Sequence, residues 1–246
     1  EMTLQLGQST PFARGGNRLC FVHPDHADRC VKVRRPDFTL EDLRRKKGFP
    51  KNLRPLSSFD DNLEELRVMV DIDRRVGEEA YTLVSRCFGF EDTDMGRGLT
   101  SELIRDADQG ISHTLKQVIW DHGYDDELRA AVQRFGDAWA RLGIPSRDLL
   151  VHNLLVQRDA GGGIIRLVAI DGLGSASALP EGWRTRDSRL ARSARKVANL
   201  HERIATLLAA RERGEFPGTH GLLMHDGRPS AAEQPTKDQL PEERQT

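Results

Sequence analysis

The chain has almost no charge imbalance: 37 Lys+Arg stand against 38 Asp+Glu, a formal net charge of -1. That balance provides no bulk pull toward nucleic acid or an anionic membrane surface, and neither partner is expected. Cysteine is scarce and odd in number, with Cys20, Cys30 and Cys87 at spacings that match no metal site. Such usage suits a reducing compartment in which the thiols are small packing residues, although Cys20 and Cys30 could face each other across a hairpin. No apolar run approaches the ~18 residues that a membrane span needs, and the first residues lack a basic segment followed by an apolar one. A cytoplasmic location is therefore expected.

What is present is ordinary for a globular protein: 246 residues, 37% hydrophobic and 30% charged. That length can bury a full core in one or two domains. Residues 2–6 alternate apolar and polar positions as a half-buried strand does, and residues 19–23 and 30–33 are two more β-rich runs. Between the first two lies Pro11-Phe12-Ala13-Arg14-Gly15-Gly16-Asn17-Arg18, a loop whose glycines let main chain approach a ligand closely. Thr39 and Asp42 have capping-box spacing for a short helix inside a polar insertion. Asp61 then caps a predicted helix to about Gly77, on which Glu65, Met69, Ile72 and Val76 share one face. A carboxylate on that apolar face needs a cation. Lys32, on the opposite side of its strand from Val31 and Val33, is the candidate; the competing expectation is a solvated lysine and a Glu65 at the edge of the stripe.

Residues 83–90 and 98–104 read as two further strands, so five strands and one helix make up a first unit, residues 1–104. The glycine-ended run Arg105-Asp106-Ala107-Asp108-Gln109-Gly110 is the expected boundary. Helices follow, one capped by Ser112 and ending near His122, and one from about Asp125 with Leu128, Val132, Phe135, Trp139 and Leu142 on one face. Gly143 and Pro145 stop the second. Residues 153–156 and 164–170 are short strands joined by a glycine-rich hairpin, which brings Asn153 near Asp171. A last helix over about 185–213, basic on its outer face, completes a second unit of residues 105–213. Residues 214–246 have the composition of a disordered tail.

Phosphoryl transfer needs positioning and charge neutralisation: a lysine on phosphates, an acid holding that lysine, metal ligands, and a carboxylate at the acceptor hydroxyl. The chain offers Lys32, Glu65, Asp148, Asn153 and Asp171 in that order. Arg147-Asp148 with Asn153 five residues after the Asp resembles a protein-kinase catalytic loop, and Asp171-Gly172 resembles its metal-binding aspartate. The runs Gly15 through Pro24 and Asp28 through Val33, with Glu65-Leu66-Arg67 and residues 148–156 and 171–183, are similar to the bacterial YrbL family associated with the PhoP regulatory network.

The resemblance implies an α+β, two-lobed protein-kinase-like fold with a minimal, truncated helical C-terminal lobe. It also implies roles for individual residues. Lys32 would contact the phosphates of ATP and Glu65 would orient it; Asp148 would accept or align the acceptor hydroxyl; Asn153 and Asp171 would hold Mg²⁺. Glu102, Leu103 and Ile104 would form the hinge that bonds adenine, and Arg14, Gly15, Gly16 and Asn17 would cover the phosphates.

Departures from the pattern are Ser146 before Arg147, Leu150 where a lysine often stands, Gly172-Leu173 in place of Phe-Gly, and no Ala-Pro-Glu segment after Asp171. Leu150 removes a cation that commonly helps the transferring phosphate, and Arg147 has no evident partner. The leading expectation is an ATP- and Mg²⁺-dependent phosphotransferase acting on a protein, itself or a small molecule. The alternative is a nucleotide-binding, pseudokinase-like regulatory protein; a third reading is an α+β domain whose polar residues are ordinary turn and cap residues.

Overall fold

The structure, a computed structural model, describes residues 2–173 and 183–228. Its first lobe is a five-stranded antiparallel sheet in the order β1-β2-β3-β5-β4. The strands are β1 (Ala13–Arg14), β2 (Arg18–Val22), β3 (Arg29–Arg34), β4 (Cys87–Thr93) and β5 (Gly96–Glu102). Period-two alternation sorts β2 and β3 between two environments. Phe21, Val31 and Val33 bury against Leu6 on one face. On the other face Cys20 stands opposite Lys32, and Cys30 packs with Phe12, Leu103 and Ile111. The three cysteines are free thiols, and burial pushes the Cys30 thiol up to about 12.

The strand count matches the sequence expectation, but its first member does not. Residues 2–6 make only an isolated bridge from Leu4 to Thr93. The first strand is instead Ala13–Arg14, inside the expected loop, because Phe12 N–H and Gly15 N–H bond the Cys20 and Arg18 carbonyls and close a hairpin. The expected strand over 83–90 begins only at Cys87; residues 83–85 pair across to the second lobe, with Val84 bridged to Ala169 and Ser85 N–H bonded to the Ala169 carbonyl at 3.1 Å.

Helix α1 (Leu40–Lys47) carries the reciprocal Thr39–Asp42 capping box. Helix α2 (Asp61–Arg75) is capped by Asp60, one residue before the expected Asp61, since the Asp60 carboxylate accepts from Asn62 N–H and Leu63 N–H. Asn62, buried in the first turn, donates through Nδ2 to the Lys32 carbonyl at 2.9 Å and fixes α2 to β3.

In the second lobe α3 (Leu115–His122) is capped by Thr114 rather than Ser112, whose hydroxyl bonds Asp106 instead. Helix α4 (Asp126–Leu142) ends at Gly143 in the left-handed region. Its apolar face, with Leu128, Val132, Phe135 and Trp139 fully buried, packs against α5 (Arg186–Glu212). Gly136 permits the close approach, as a Cβ there would lie 2.7 Å from Val197. Beside the helices is a three-stranded sheet of β6 (His113–Thr114), β7 (Leu154–Arg158) and β8 (Ile164–Ala169).

Residues 214–228, expected as the start of a tail, fold back over both lobes. The carbonyls of Gly218 and His220 accept from buried Lys116, Met224 N–H bonds the Phe12 carbonyl, and the Asp226 carbonyl accepts from Ile111 N–H. These main-chain hydrogen bonds supply the stabilisation that the polar composition alone does not reveal. Residues 229–246 lie outside the described residues.

Candidate active site

Lys32 sits mid-strand on β3 with its Nζ 2.5 Å from Glu65 Oε1 and 3.1 Å from the Ile170 carbonyl. Its side chain is 8% exposed and that of Glu65 10%. Burial opposes the lysine's charge, but Glu65 outweighs it and raises the Lys32 pKa above its ordinary value. The face opposite Val31 and Val33 is thus an interior one, and the carboxylate on the apolar stripe of α2 is paired rather than solvated.

Arg18 joins this pair, which the sequence reading does not anticipate. Its Nη1 lies 2.5 Å from Glu65 Oε2 and 3.1 Å from Asn62 Oδ1, and its Nη2 lies 3.0 Å from Asp171 Oδ2. Arg18 is two residues before Cys20, so strand alternation alone puts it on the Lys32 face. Burial by itself would raise the Asp171 carboxyl, but Arg18, Lys32 and the adjacent Gly172 N–H hold it at about 2.

The loop with Asp148 and the turn with Asp171 are tied by main chain: Arg147 N–H donates to the Gly172 carbonyl at 2.8 Å, and Ser146 bridges Leu173. Gly172 has φ +75°, and a Cβ there would lie 2.8 Å from the Asp148 carbonyl oxygen and 3.1 Å from Asn153 Nδ2. Ile170 N–H bonds the Asn153 carbonyl at 3.0 Å, so the β7–β8 hairpin holds Asn153 beside Asp171. Arg147 has a partner after all, Glu64 Oε1 at 3.4 Å.

Two cavities meet at Arg18 and Asp171. The larger, of about 320 Å³, is lined among others by Lys32, Asn153, Asp171, Arg14 to Gly16 and Glu102 to Ile104. The smaller, of about 230 Å³, holds Asn17 and Glu65. Asp148 lines neither. Cβ atoms on Gly15 or Gly16 would have no contact closer than 3.7 Å, so these glycines leave the mouth open rather than relieving backbone strain. Asn17 is held by Asp61 at 2.9 Å. At the hinge, Leu103 N–H bonds the Asp28 carbonyl and the Ile104 carbonyl accepts from Ser112 N–H. The Glu102 carboxylate turns away, accepting from Arg86 N–H and pairing with Arg166.

Two further elements enter the site without sequence warning. His220 to Leu223 of the folded-back segment line the larger cavity. From the basic face of α5, Lys196 Nζ and Arg203 Nη2 reach Asp148 Oδ1 at 3.3 and 3.2 Å. Nothing local in the sequence marks these, because each depends on packing across more than forty residues.

A five-stranded antiparallel sheet with a helix-held lysine, facing a helical lobe whose hairpin presents Asn153 and Asp171, defines a two-lobed protein of the kinase-like class. The chain belongs to the family described as PhoP regulatory network protein YrbL, whose model matches residues 4–204. It is 24% identical over 182 residues to the "Uncharacterized protein YrbL" of Escherichia coli K12, covering 72% of this chain and 76% of that one, and equally to its Shigella flexneri counterpart. Among solved structures it is similar to "Crystal structure of Rad53 1-466 in complex with AMP-PNP", with a TM-score of 0.47, 15% identity and 85% of this chain covered. The chain spans about half, 52%, of that chain. Among the described residues no helix is long and apolar enough to cross a membrane.

Proposed function

We propose that the chain is an ATP- and Mg²⁺-dependent phosphotransferase whose acceptor is a protein, the chain itself or a small molecule. The observation that carries this reading is the buried Lys32–Glu65 ion pair on the wall of a cavity whose other wall bears Asn153 and Asp171. In this role Lys32 holds phosphate oxygens, and the Arg14 to Asn17 turn covers them. The main chain of Glu102 to Ile104, on the wall of the larger cavity, is the hinge for an adenine edge.

The donor set fits a hard divalent cation, because a carboxylate and an amide oxygen suffice when nucleotide phosphates and water complete the shell. Among the described residues there is no cluster of three His, Cys, Asp or Glu that would hold a metal without a nucleotide. When bound, Mg²⁺ would neutralise phosphate charge between Asn153 and Asp171. Arg18 shares Asp171 in this state, so metal entry requires its guanidinium to give up one contact.

That contact also favours a second reading, a nucleotide-binding regulatory protein without useful transfer. Incubation with γ-labelled ATP and Mg²⁺ separates the two. Label transfer by the wild-type chain that is lost in Asp148→Asn supports the enzyme. ATP-dependent thermal stabilisation in both forms without transfer supports the regulatory protein, and no effect of saturating ATP on melting overturns both.

A further inference from the structure

We infer that Lys196 and Arg203 of α5 contact the transferred phosphoryl group and take the part of a catalytic cation that Leu150 cannot play; the inference rests on the phosphotransferase reading above. The two side chains stand seven residues apart, two turns of one helix, and so share a face. Both reach the same oxygen, Asp148 Oδ1. The helix that carries them is not free to drift: Leu200, Ile204 and Leu207 between and beyond them are buried, and Ser193 bonds the Ile144 carbonyl at 2.8 Å. Lys196 also donates to the Arg147 carbonyl, which anchors it to the loop itself.

The Asp148 carboxylate faces two cations, and both retain solvent access, 19% for Lys196 and 33% for Arg203. The position suits an incoming phosphate. Arg147 N–H bonds the Gly172 carbonyl, next to Asp171, so the cations border the loop whose far end faces the nucleotide cavity. His152 and Asn153, at the other end of that loop, line the cavity.

The chemistry gives the pair a timed role. As the acceptor oxygen attacks the γ-phosphorus, its O–H bond breaks and the proton passes to the Asp148 carboxylate. The new O–P bond forms while the bond from the γ-phosphorus to its bridging oxygen breaks, and ADP leaves with that electron pair. Protonation neutralises Asp148 just as negative charge spreads over the equatorial oxygens of the phosphoryl group. Lys196 and Arg203 touch those oxygens already in the bound triphosphate, and they lose their competing anionic partner as the charge there grows.

Calorimetric titration of the full chain with ADP and with a non-hydrolysable ATP analogue, in Mg²⁺, tests this without requiring turnover. The wild-type chain is expected to bind the triphosphate more tightly than ADP. Lys196→Met and Arg203→Met should each weaken triphosphate binding about tenfold, the size of one charged hydrogen bond, and leave ADP affinity unchanged. Lys196→Arg should restore most of the preference. Arg203→Met touches no main-chain bond, so it stands if Lys196→Met fails to fold. Equal loss for both nucleotides, or no loss in either variant, overturns the inference while nucleotide binding survives. Failure of the wild-type chain to bind either nucleotide overturns the phosphotransferase reading, and the inference with it.

Discussion

Arg18 bridges to Asp171 at 3.0 Å while its other terminal nitrogen holds Glu65 at 2.5 Å, so one strand residue links the helix α2 carboxylate to the β8 turn. Arg18 and Glu65 are both nearly buried; without Arg18 the Glu65 carboxylate keeps only Lys32, and Asp171 loses its arginine. Arg18→Met is therefore expected to destabilise the fold by about 1–3 kcal/mol, the cost of buried charged groups that lose one partner. The double variant Arg18→Met/Glu65→Leu should cost less than the sum of its singles, with a coupling above about 1 kcal/mol. Urea denaturation of the four proteins measures it, and additive costs would remove the pair from any account of stability.

Lys32 carries the nucleotide prediction. Lys32→Met should abolish the ATP-dependent rise in melting temperature, with at least a tenfold loss of affinity, because no other cation in the larger cavity is fixed by both Glu65 and the Ile170 carbonyl. The unliganded variant should stay folded, since Arg18 remains on Glu65. An unchanged ATP shift would place the phosphates elsewhere.

How much of this was legible in the sequence follows from the range over which each feature is determined. Strand alternation put Lys32 opposite Val31 and Val33, and helical period put Glu65 with Met69 and Ile72; each rule is local, and together they bring the pair to one wall. Caps were readable to within a residue or two, as the shift from Asp61 to Asp60 shows, because adjacent Asp residues compete for one role. The order of strands and helices divides the chain into two units, and the resemblance of the Asp148 loop to a kinase catalytic loop is what implied the two-lobed α+β class. The strand expected at residues 2–6 reduced to a bridge because its edge meets only Asp92 and Asp94 main chain. Lys196, Arg203 and residues 214–228 were not legible, since a polar residue on an outer helix face and a polar tail look the same whether or not another lobe lies beside them.

Glu91 makes an acid-side prediction away from the cleft. Its carboxylate accepts from the Thr100 hydroxyl and lies 3.2 Å from His23 Nε2, and the Thr100 bond is the main cause of its lowered pKa. A depressed carboxyl contributes stability that is present above the unfolded glutamate value, about 4.3, and is lost as pH falls through the folded one. Glu91→Gln should therefore lower the melting temperature near pH 7, where the wild type keeps that contribution, and converge with the wild type below about pH 4.3. Parallel curves for the two proteins would contradict the assignment.

Gly172 sets the geometry between Asp148 and Asp171. With φ +75° and the Asp148 carbonyl 2.8 Å from where a Cβ would stand, Gly172→Ala must shift main chain on both sides. A cost of about 1–3 kcal/mol is expected, together with loss of transfer activity out of proportion to lost ATP binding. Denaturation and labelled-ATP assays on one preparation check both; a fully active, stable alanine variant would show that the turn need not be held.

The first part of the folded-back segment is held through one buried lysine. Lys116 Nζ donates to the Gly218 and His220 carbonyls at 2.7 Å each, and burial lowers its pKa. Replacing it by methionine keeps the volume but strips both carbonyls of their donor, which costs about 1–3 kcal/mol where such groups stay out of water. The segment should respond by loosening around Gly218 to Gly221, where the Thr114 Oγ1 bond to the Gly221 carbonyl at 2.8 Å remains, while Met224, His225 and Asp226 keep their bonds to Phe12, Thr10 and Ile111. Lys116→Met is therefore expected to open residues 216–222 to limited proteolysis and to loosen His220 to Leu223 on the cavity wall. Saturating ATP analogue should slow that cleavage if the nucleotide packs against these residues. Cleavage at the wild-type rate would mean that Thr114, Phe12 and Ile111 hold the segment without the lysine.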